Sequence, residues 1–190
     1  LALFETYLHE LSVWNSKTNL TSLTQSQEII VKHFVDSLAC INGIVIVDRN
    51  LRLLDIGSGA GFPGLPLKIA FPQISLFLLE PASKKIAFLR HMIGTLRLTN
   101  VKAIPKTLQA FAEDHANYGM FSCVISRALN MGPIIDHCLE LCAADGKLIL
   151  CRSKPFSEKE ELGGFEIDRE LSYDLPCGYG HRVLTTLKRR

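Results

Sequence analysis

DIGSGAGFPG, the stretch from Asp55 to Gly64, decides how the rest of this chain is read. It follows a compact apolar run, Leu51 to Leu54, that reads as a buried strand. Asp55 falls at the carboxyl end of that strand, and Gly57, Gly59, Gly61 and Gly64 follow within one loop. Glycines accept positive φ and let another molecule come against bare backbone. A phosphate cradle offers N–H groups to an anion and gains nothing from a carboxylate beside it. A carboxylate at a glycine turn suits a ligand bearing an amine or a sulfonium, and S-adenosylmethionine bears both. Gly59, Gly61 and Gly64 also satisfy G-x-G-x-x-G, so a dinucleotide stays open as an alternative. That fingerprint sets its first glycine directly after the strand, whereas Asp55 and Gly57 come first here and Pro63 interrupts it. Proline nevertheless suits the first turn of a following helix. A glycine-rich turn that binds nothing is the third reading.

A second carboxylate favours a ligand. Ile74 to Leu79 forms another apolar run, and Glu80 ends it. In open α/β sheets an acidic residue at the end of the second strand binds ribose hydroxyls. Adenosylmethionine and NAD both carry such a ribose, so Glu80 supports a nucleoside without choosing between them.

The 190 residues, 47% hydrophobic and 21% charged, describe one soluble globular domain with a sizeable core. We expect a helical cap over 1–45 and an α/β core over 51–190. No apolar run approaches a membrane span. Leu1 to Glu5 lacks the basic start and cleavage pattern of a signal peptide, so a cytoplasmic protein is expected. The six cysteines form no C-x-x-C pair and sit mostly in apolar runs, which is thiol usage for a reducing compartment. His137, Cys138 and Cys142 have helical spacing in an apolar context, and no metal is expected there. A net charge of +2 neither requires nor excludes a nucleic-acid partner. Basic clusters fall at Lys84-Lys85, Arg90-His91, Arg152 with Lys154, and Lys188-Arg189-Arg190.

Along the chain, Phe4, Leu8 and Leu11 form one helical stripe, with Tyr7, Leu11 and Trp14 beside it. A polar stretch, Asn15 to Thr24, leads to a second helix bearing Ile29, Ile30, His33, Phe34, Ser37, Leu38 and Ile41. Strands are expected near 51–56, 74–80, 101–104, 121–126 and 146–151, with helices near 64–71, 83–97, 107–115 and 132–143. The stretch 155–164 reads as an exposed connection. Segments near 165–171 and 182–188 close the sheet as a hairpin. This alternation implies a doubly wound, mostly parallel α/β sheet with right-handed crossovers. A ligand then lies where the strand order reverses, between the first strand and the fourth. The fourth ends at Ser126-Arg127-Ala128, which turns a guanidinium toward the ligand or anchors it on a neighbouring carboxylate.

Taken in order, several segments resemble the GidB/RsmG family of bacterial 16S rRNA guanine-N7 methyltransferases. They are Trp14-Asn15 with Asn19-Leu20-Thr21-Ser22, His33 to Leu38, Asp55 to Leu67, Lys84-Lys85 with Phe88-Leu89-Arg90, and Ser126-Arg127-Ala128. The resemblance implies a Rossmann-like class I methyltransferase fold of seven strands and N-terminal capping helices. It implies adenosylmethionine at Asp55, Gly57, Ser58, Gly59, Gly61, Phe62 and Glu80, with Leu108, Gln109 and Arg127 completing the pocket. It further implies catalytic roles for Arg127, Asp55 and Lys154. The partner it implies is 16S rRNA or the small ribosomal subunit, gripped by Lys84, Lys85, Arg90, Arg152 and Lys154, with the chain acting as a monomer. Thr107-Leu108-Gln109 stands where the family usually shows an R-A-E-like segment, and either Arg152 or Lys154 takes the place of the family's lysine after the fifth strand. A methyltransferase of another RNA or of a small molecule, and a non-catalytic RNA- or ribosome-binding relative, are the other functions this sequence allows. His33 faces the cofactor or packs in the core, and Trp14 reads as a packing anchor.

Overall fold

The computed structural model describes residues 1–44, 51–127, 132–157 and 161–190. Helix α1 (Ala2–Thr18) buries Tyr7 and Leu11 on the expected stripe. It runs four residues, Asn15 to Thr18, into the polar stretch beyond the last residue of its apolar face, Trp14. It stops where Asn19 turns left-handed at φ 51°, its N–H returning to the Asn15 carbonyl, a conformation asparagine tolerates. The second helical segment is not uniform. An α turn, α2 (Ser26–Ile29), passes into a π-helical stretch, Ile30–Val35, then α3 (Asp36–Ala39) and a 3-10 turn, Cys40–Gly43. Such π insertions are rare and favour functional sites. This one contains His33 and abuts Asp36.

Seven strands form one sheet: β1 (Arg52–Ile56), β2 (Ser75–Leu79), β3 (Val101–Ile104), β4 (Phe121–Arg127), β5 (Cys142–Arg152), β6 (Phe165–Asp174) and β7 (His181–Arg189). Their spatial order is β3-β2-β1-β4-β5-β7-β6. The first five strands pair in parallel, and β7 enters antiparallel between β5 and β6. Strand order therefore reverses between β1 and β4, as expected. The central strands are covered on both faces, which is why they read as unbroken apolar runs. Leu53, Ile125 and Ile149 join one core with Tyr7, Leu11, Phe34 and the helices α4 (Gly64–Ala70) and α5 (Ser83–Thr95). Their neighbours Leu54, Val124 and Leu148 point the other way, into a core shared with α6 (Leu108–Ala112) and α7 (Ile135–Leu141). Successive strand residues alternate faces, so each strand feeds both cores.

Three boundaries differ from the sequence reading. The helix expected over 132–143 is a 3-10 turn, Gly132–Ile134, followed by the short α7. Strand β5 starts at Cys142 instead of 146, because Cys142 already pairs with Phe121 before a register shift. Gly146 permits that early start, since a Cβ there would stand 2.8 Å from the Phe121 carbonyl oxygen. The helix expected over 107–115 ends at Ala112 and resumes as a 3-10 turn, His115–Asn117, capped by Asp114. Of the connection at 155–164, residues 155–157 and 161–164 carry neither helix nor strand, and 158–160 lie outside the described residues, as does Ala128.

Candidate active site at the carboxyl edge of the sheet

Asp55 and Glu80 end adjacent strands, β1 and β2, and both are buried. Asp55 Oδ2 accepts a hydrogen bond from the Gly64 N–H at 2.9 Å, at the start of α4. Its Oδ1 is buried and has no hydrogen-bond partner among the described residues. Burial pushes the Asp55 carboxyl up to about 7, against the opposing pull of the Gly64 N–H and the Arg127 charge. Glu80 does more than sequence reasoning assigned to it. Oε2 accepts from the Gly59 N–H at 3.0 Å and Oε1 from the Ala82 N–H at 2.9 Å, so the carboxylate also braces the glycine loop.

The loop glycines divide by what surrounds them. Gly59 has φ +58° and open space where a Cβ would stand, with only the Gly57 carbonyl at 3.8 Å. Gly61 faces inward: a Cβ there would run into the Leu65 side chain and stand 2.6 Å from Tyr7 Oη. Gly64 lies against Asp55 and Leu78. Gly57, which lines a cavity, and Gly59 are thus placed to meet a ligand, whereas Gly61 and Gly64 let the loop close on the core. Ser58 turns its hydroxyl to the Asp55 carbonyl at 2.9 Å. Tyr7 donates to the Ala60 carbonyl from α1. Phe62 is buried, stacking with His33 at 4.4 Å and with Tyr7 at 5.3 Å between ring centres.

Between β1, β2 and α6 opens a cavity of about 250 Å³ lined by Ile56, Gly57, Leu79, Thr107 and Leu108. Gln109 is exposed and does not line it. A second recess, of about 720 Å³, lies beyond β4 and brings together Arg127, Arg152 and Lys154 with Lys32, Asp36 and Arg182.

Arg127 is anchored on a carboxylate, one of the two roles its position allows. Nη1 donates to the Lys32 carbonyl at 3.1 Å and to Asp36 Oδ2 at 3.3 Å. Nη2 lies 2.8 Å from His33 Nδ1. A guanidinium only donates, so Nδ1 accepts and the proton of the neutral ring sits on Nε2. Nε2 lies 3.0 Å from Thr21 Oγ1, which also accepts from the Leu23 N–H at 3.2 Å. Asn15 holds that turn from both sides, accepting from the Thr21 N–H and donating to the Leu23 carbonyl. Burial and the Arg127 charge hold the His33 imidazole down at about 3, so it stays neutral. The side chains of the two N-terminal motifs therefore form a chain of contacts ending on Arg127. Asp36, Thr21, Tyr173 and Arg182 were not among the expected site residues. Asp36 stood in the quoted HFVDSL segment, the one signal that could have exposed it.

The other basic residues scatter. Lys84 and Lys85 occupy the first turn of α5, just after the Glu80 loop, Lys84 exposed and Lys85 half-buried. A helix N-terminus disfavours cations, so the helix dipole does not account for their position. Arg90 lies further down the helix. None of the three lines either recess. The terminal basic run does not join the cleft. Lys188 pairs with Lys147, near the start of the parallel part of β5, which places it at the opposite edge of the sheet. It is bound there to Glu166, while Arg189 donates to the Leu139 carbonyl. Among the described residues no group of three His, Cys, Asp or Glu side chains could hold a metal. Trp14 of the cap packs edge-on against Phe88 of α5.

A sheet in this order, with a buried acid at the end of β1 and a glycine loop after it, an acid directly after β2 and flanking helices, defines a Rossmann-like methyltransferase. The sequence profile of GidB, described as rRNA small subunit methyltransferase G, matches residues 1–172, and this chain belongs to that family. It is 37% identical over 176 residues to ribosomal RNA small subunit methyltransferase G of Roseiflexus sp. (strain RS-1), covering 88% of this chain and 74% of that protein. The protein of the same name from Dehalococcoides mccartyi (strain CBDB1) is 39% identical, covering 100% of this chain and 83% of its own length. Among solved structures, a mutant of MtNAS in complex with S-adenosylmethionine superposes with a TM-score of 0.68 at 14% identity, covering 97% of this chain and 75% of that one. That likeness speaks to the fold alone.

Proposed function

We propose that this chain transfers the methyl group of S-adenosylmethionine to N7 of a guanine in the 16S rRNA of the small ribosomal subunit. The observation that carries the reading is the pairing of β1 with β4. It sets the Asp55 carboxylate and the Arg127 guanidinium on neighbouring strands at the point where strand order reverses. The residues present fit the cofactor. Asp55 Oδ1 is a buried acceptor without a partner among the described residues, suited to an ammonium. Gly59 offers backbone with no side chain in the way, and the 250 Å³ cavity suits a purine. Ser58, Gly61 and Phe62 act in this scheme by shaping the loop, Gly57 and Leu108 line the cavity, Glu80 braces the loop and accepts from the ribose, and Gln109, exposed outside the cavity, has no part in it.

Adenosylmethionine supplies an electrophilic methyl group on a sulfonium. Guanine N7 presents a lone pair and no proton, so the chain needs no general base. Its work is to hold the base in line, which can contribute roughly 7–11 kcal/mol. Positive charge grows on the purine during transfer, so a cation beside it stabilises nothing. Arg127 therefore orients the base or its phosphate through fixed donors. Arg152 and Lys154 line the same recess, and either can serve as the family's lysine toward the RNA. Lys84, Lys85 and Arg90 extend the basic surface along α5.

The N-terminal helices and the sheet share one apolar core, which supports a single domain over 1–190. We take it to act as a monomer in the cytoplasm; no described helix is long and apolar enough to cross a membrane. The test is direct. Small subunits from cells lacking this gene, incubated with the purified chain and labelled adenosylmethionine, should gain N7-methylguanine at one 16S position. Label in another RNA, or none, would overturn the reading.

A further inference from the structure

One oxygen of Asp36 serves two guanidinium groups. Oδ2 accepts from Arg127 Nη1 and from Arg182 Nε, each at 3.3 Å. Oδ1 accepts from Tyr173 Oη at 2.9 Å, which fixes the plane of the carboxylate. Asp36 is 3% exposed, and both arginines line the larger recess. Charge there does not balance. His33 is neutral, and Lys32 pairs with Glu28 at 2.7 Å. One buried carboxylate thus faces two guanidinium groups that never deprotonate.

The donors are unequally committed. Arg182 donates Nε to Asp36 and one Nη1 hydrogen to the His181 carbonyl. A guanidinium has about five N–H donors, so both hydrogens of Nη2 and one of Nη1 remain for a ligand. A planar fork of this kind matches a phosphate. Position decides which anion. Arg182 stands on β7, separated from β1 by β4 and β5. At about 4.8 Å per strand, its backbone is roughly 14 Å from the strand that ends in Asp55. Its backbone thus stands on the far side of the recess from Asp55, in line with a polynucleotide crossing the recess past Arg152 and Lys154.

We propose that Arg182 and Arg127, joined through Asp36, form a seat for one phosphodiester of the RNA strand. Asp36 and Tyr173 are positioning residues that aim the two forks. The inference rests on the RNA-substrate reading, and the test separates the two. Binding of a 16S rRNA transcript is measured across a salt series for the wild-type chain, Arg182→Ala and Arg182→Lys, with adenosylmethionine affinity measured by calorimetry. Arg182→Ala should bind RNA about tenfold more weakly. Its salt slope should fall by about one, since one phosphate contact is lost. Its adenosylmethionine affinity should not change. Arg182→Lys keeps the charge but not the fork, so it should retain the slope and lose part of the affinity. Should Arg182→Ala fail to fold, Arg182→Lys decides: wild-type RNA affinity in that variant overturns the seat. A wild-type slope in a folded Arg182→Ala overturns it as well. Weaker adenosylmethionine binding with RNA binding intact assigns the anion to the cofactor and also overturns it. A wild-type chain that binds no RNA removes both the seat and the reading beneath it.

Discussion

The two recesses at the carboxyl edge are built on opposite principles. The smaller, between β1 and α6, is shaped by backbone: glycines, strand ends and apolar walls such as Leu79 and Leu108. The larger, beyond β4, is shaped by side-chain hydrogen bonds that reach from Thr21 to Arg182. The first depends on short segments of consecutive sequence. The second depends on the finished tertiary structure. Substitutions should therefore separate them, cofactor binding failing on one side and turnover or RNA binding on the other.

The largest effect is expected at Gly59. Valine there must adopt φ +58°, a region β-branched residues avoid, and would fill the open side of the loop. Gly59→Val should lose detectable adenosylmethionine binding by calorimetry while still binding RNA. Unchanged cofactor affinity would contradict the assignment of this recess. Next comes Arg127→Ala, which should lower kcat by about 10²-fold, the cost of letting a positioned reactant drift by about an ångström. Cofactor affinity should fall far less. Wild-type turnover on small subunits would remove Arg127 from the mechanism.

A third, smaller effect concerns pH and has opposite signs in the two recesses. The folded chain keeps the Asp55 proton up to about 7, whereas the unfolded chain loses it near its ordinary value of 3.8. The folded state thus binds more protons between those values, and this group's contribution to stability falls as pH rises through that window. Asp55→Asn should remove the slope and raise the melting temperature at neutral pH by several degrees, while weakening adenosylmethionine. His33 behaves inversely. Its folded value of about 3 lies below the ordinary 6.5, so its contribution to stability is lost as pH falls between them. Melting curves of Asp55→Asn that track the wild type from about pH 5 to 7 would deny the buried, protonated Asp55. The smallest effect is expected at the rim. Replacing Lys84 and Lys85 together should lower the RNA salt slope by about one to two. Lys188→Ala, at the far edge, should leave it unchanged. Equal slopes for both variants would reduce Lys84 and Lys85 to ordinary surface charge.

The smaller recess was largely legible in the sequence, because its determinants are local. An apolar run, an acid and a glycine loop determine strand, turn and helix on its Leu51 to Ala70 side, whereas the far wall at Thr107 and Leu108 depends on where α6 begins, and there Gln109 was misplaced. The larger recess was legible only in fragments. HFVDSL and Ser126-Arg127 stood out, but nothing in their spacing says that Asp36 meets Arg127 across 91 positions. The place of the basic tail was hidden for a related reason. Because β7 runs antiparallel, its first residues reach the cleft and its last ones leave it, so Arg182 belongs to the site and Lys188 does not. Charge density along a sequence carries no strand direction. The π-helical stretch at Ile30–Val35 was equally hidden, since it leaves the pattern of apolar residues almost helical.

The place of β7 between β5 and β6 also sets a timetable. During synthesis β6 emerges first, yet the sheet offers it no neighbour except β7. Asp36 likewise waits for Tyr173 and Arg182, respectively 137 and 146 residues later. The charged cleft is thus among the last features a growing chain can complete, well after the glycine loop has the strands it needs. Contacts so distant along the chain form slowly. Until Arg182 is in place, a newly made chain lacks the second guanidinium of the proposed phosphate seat.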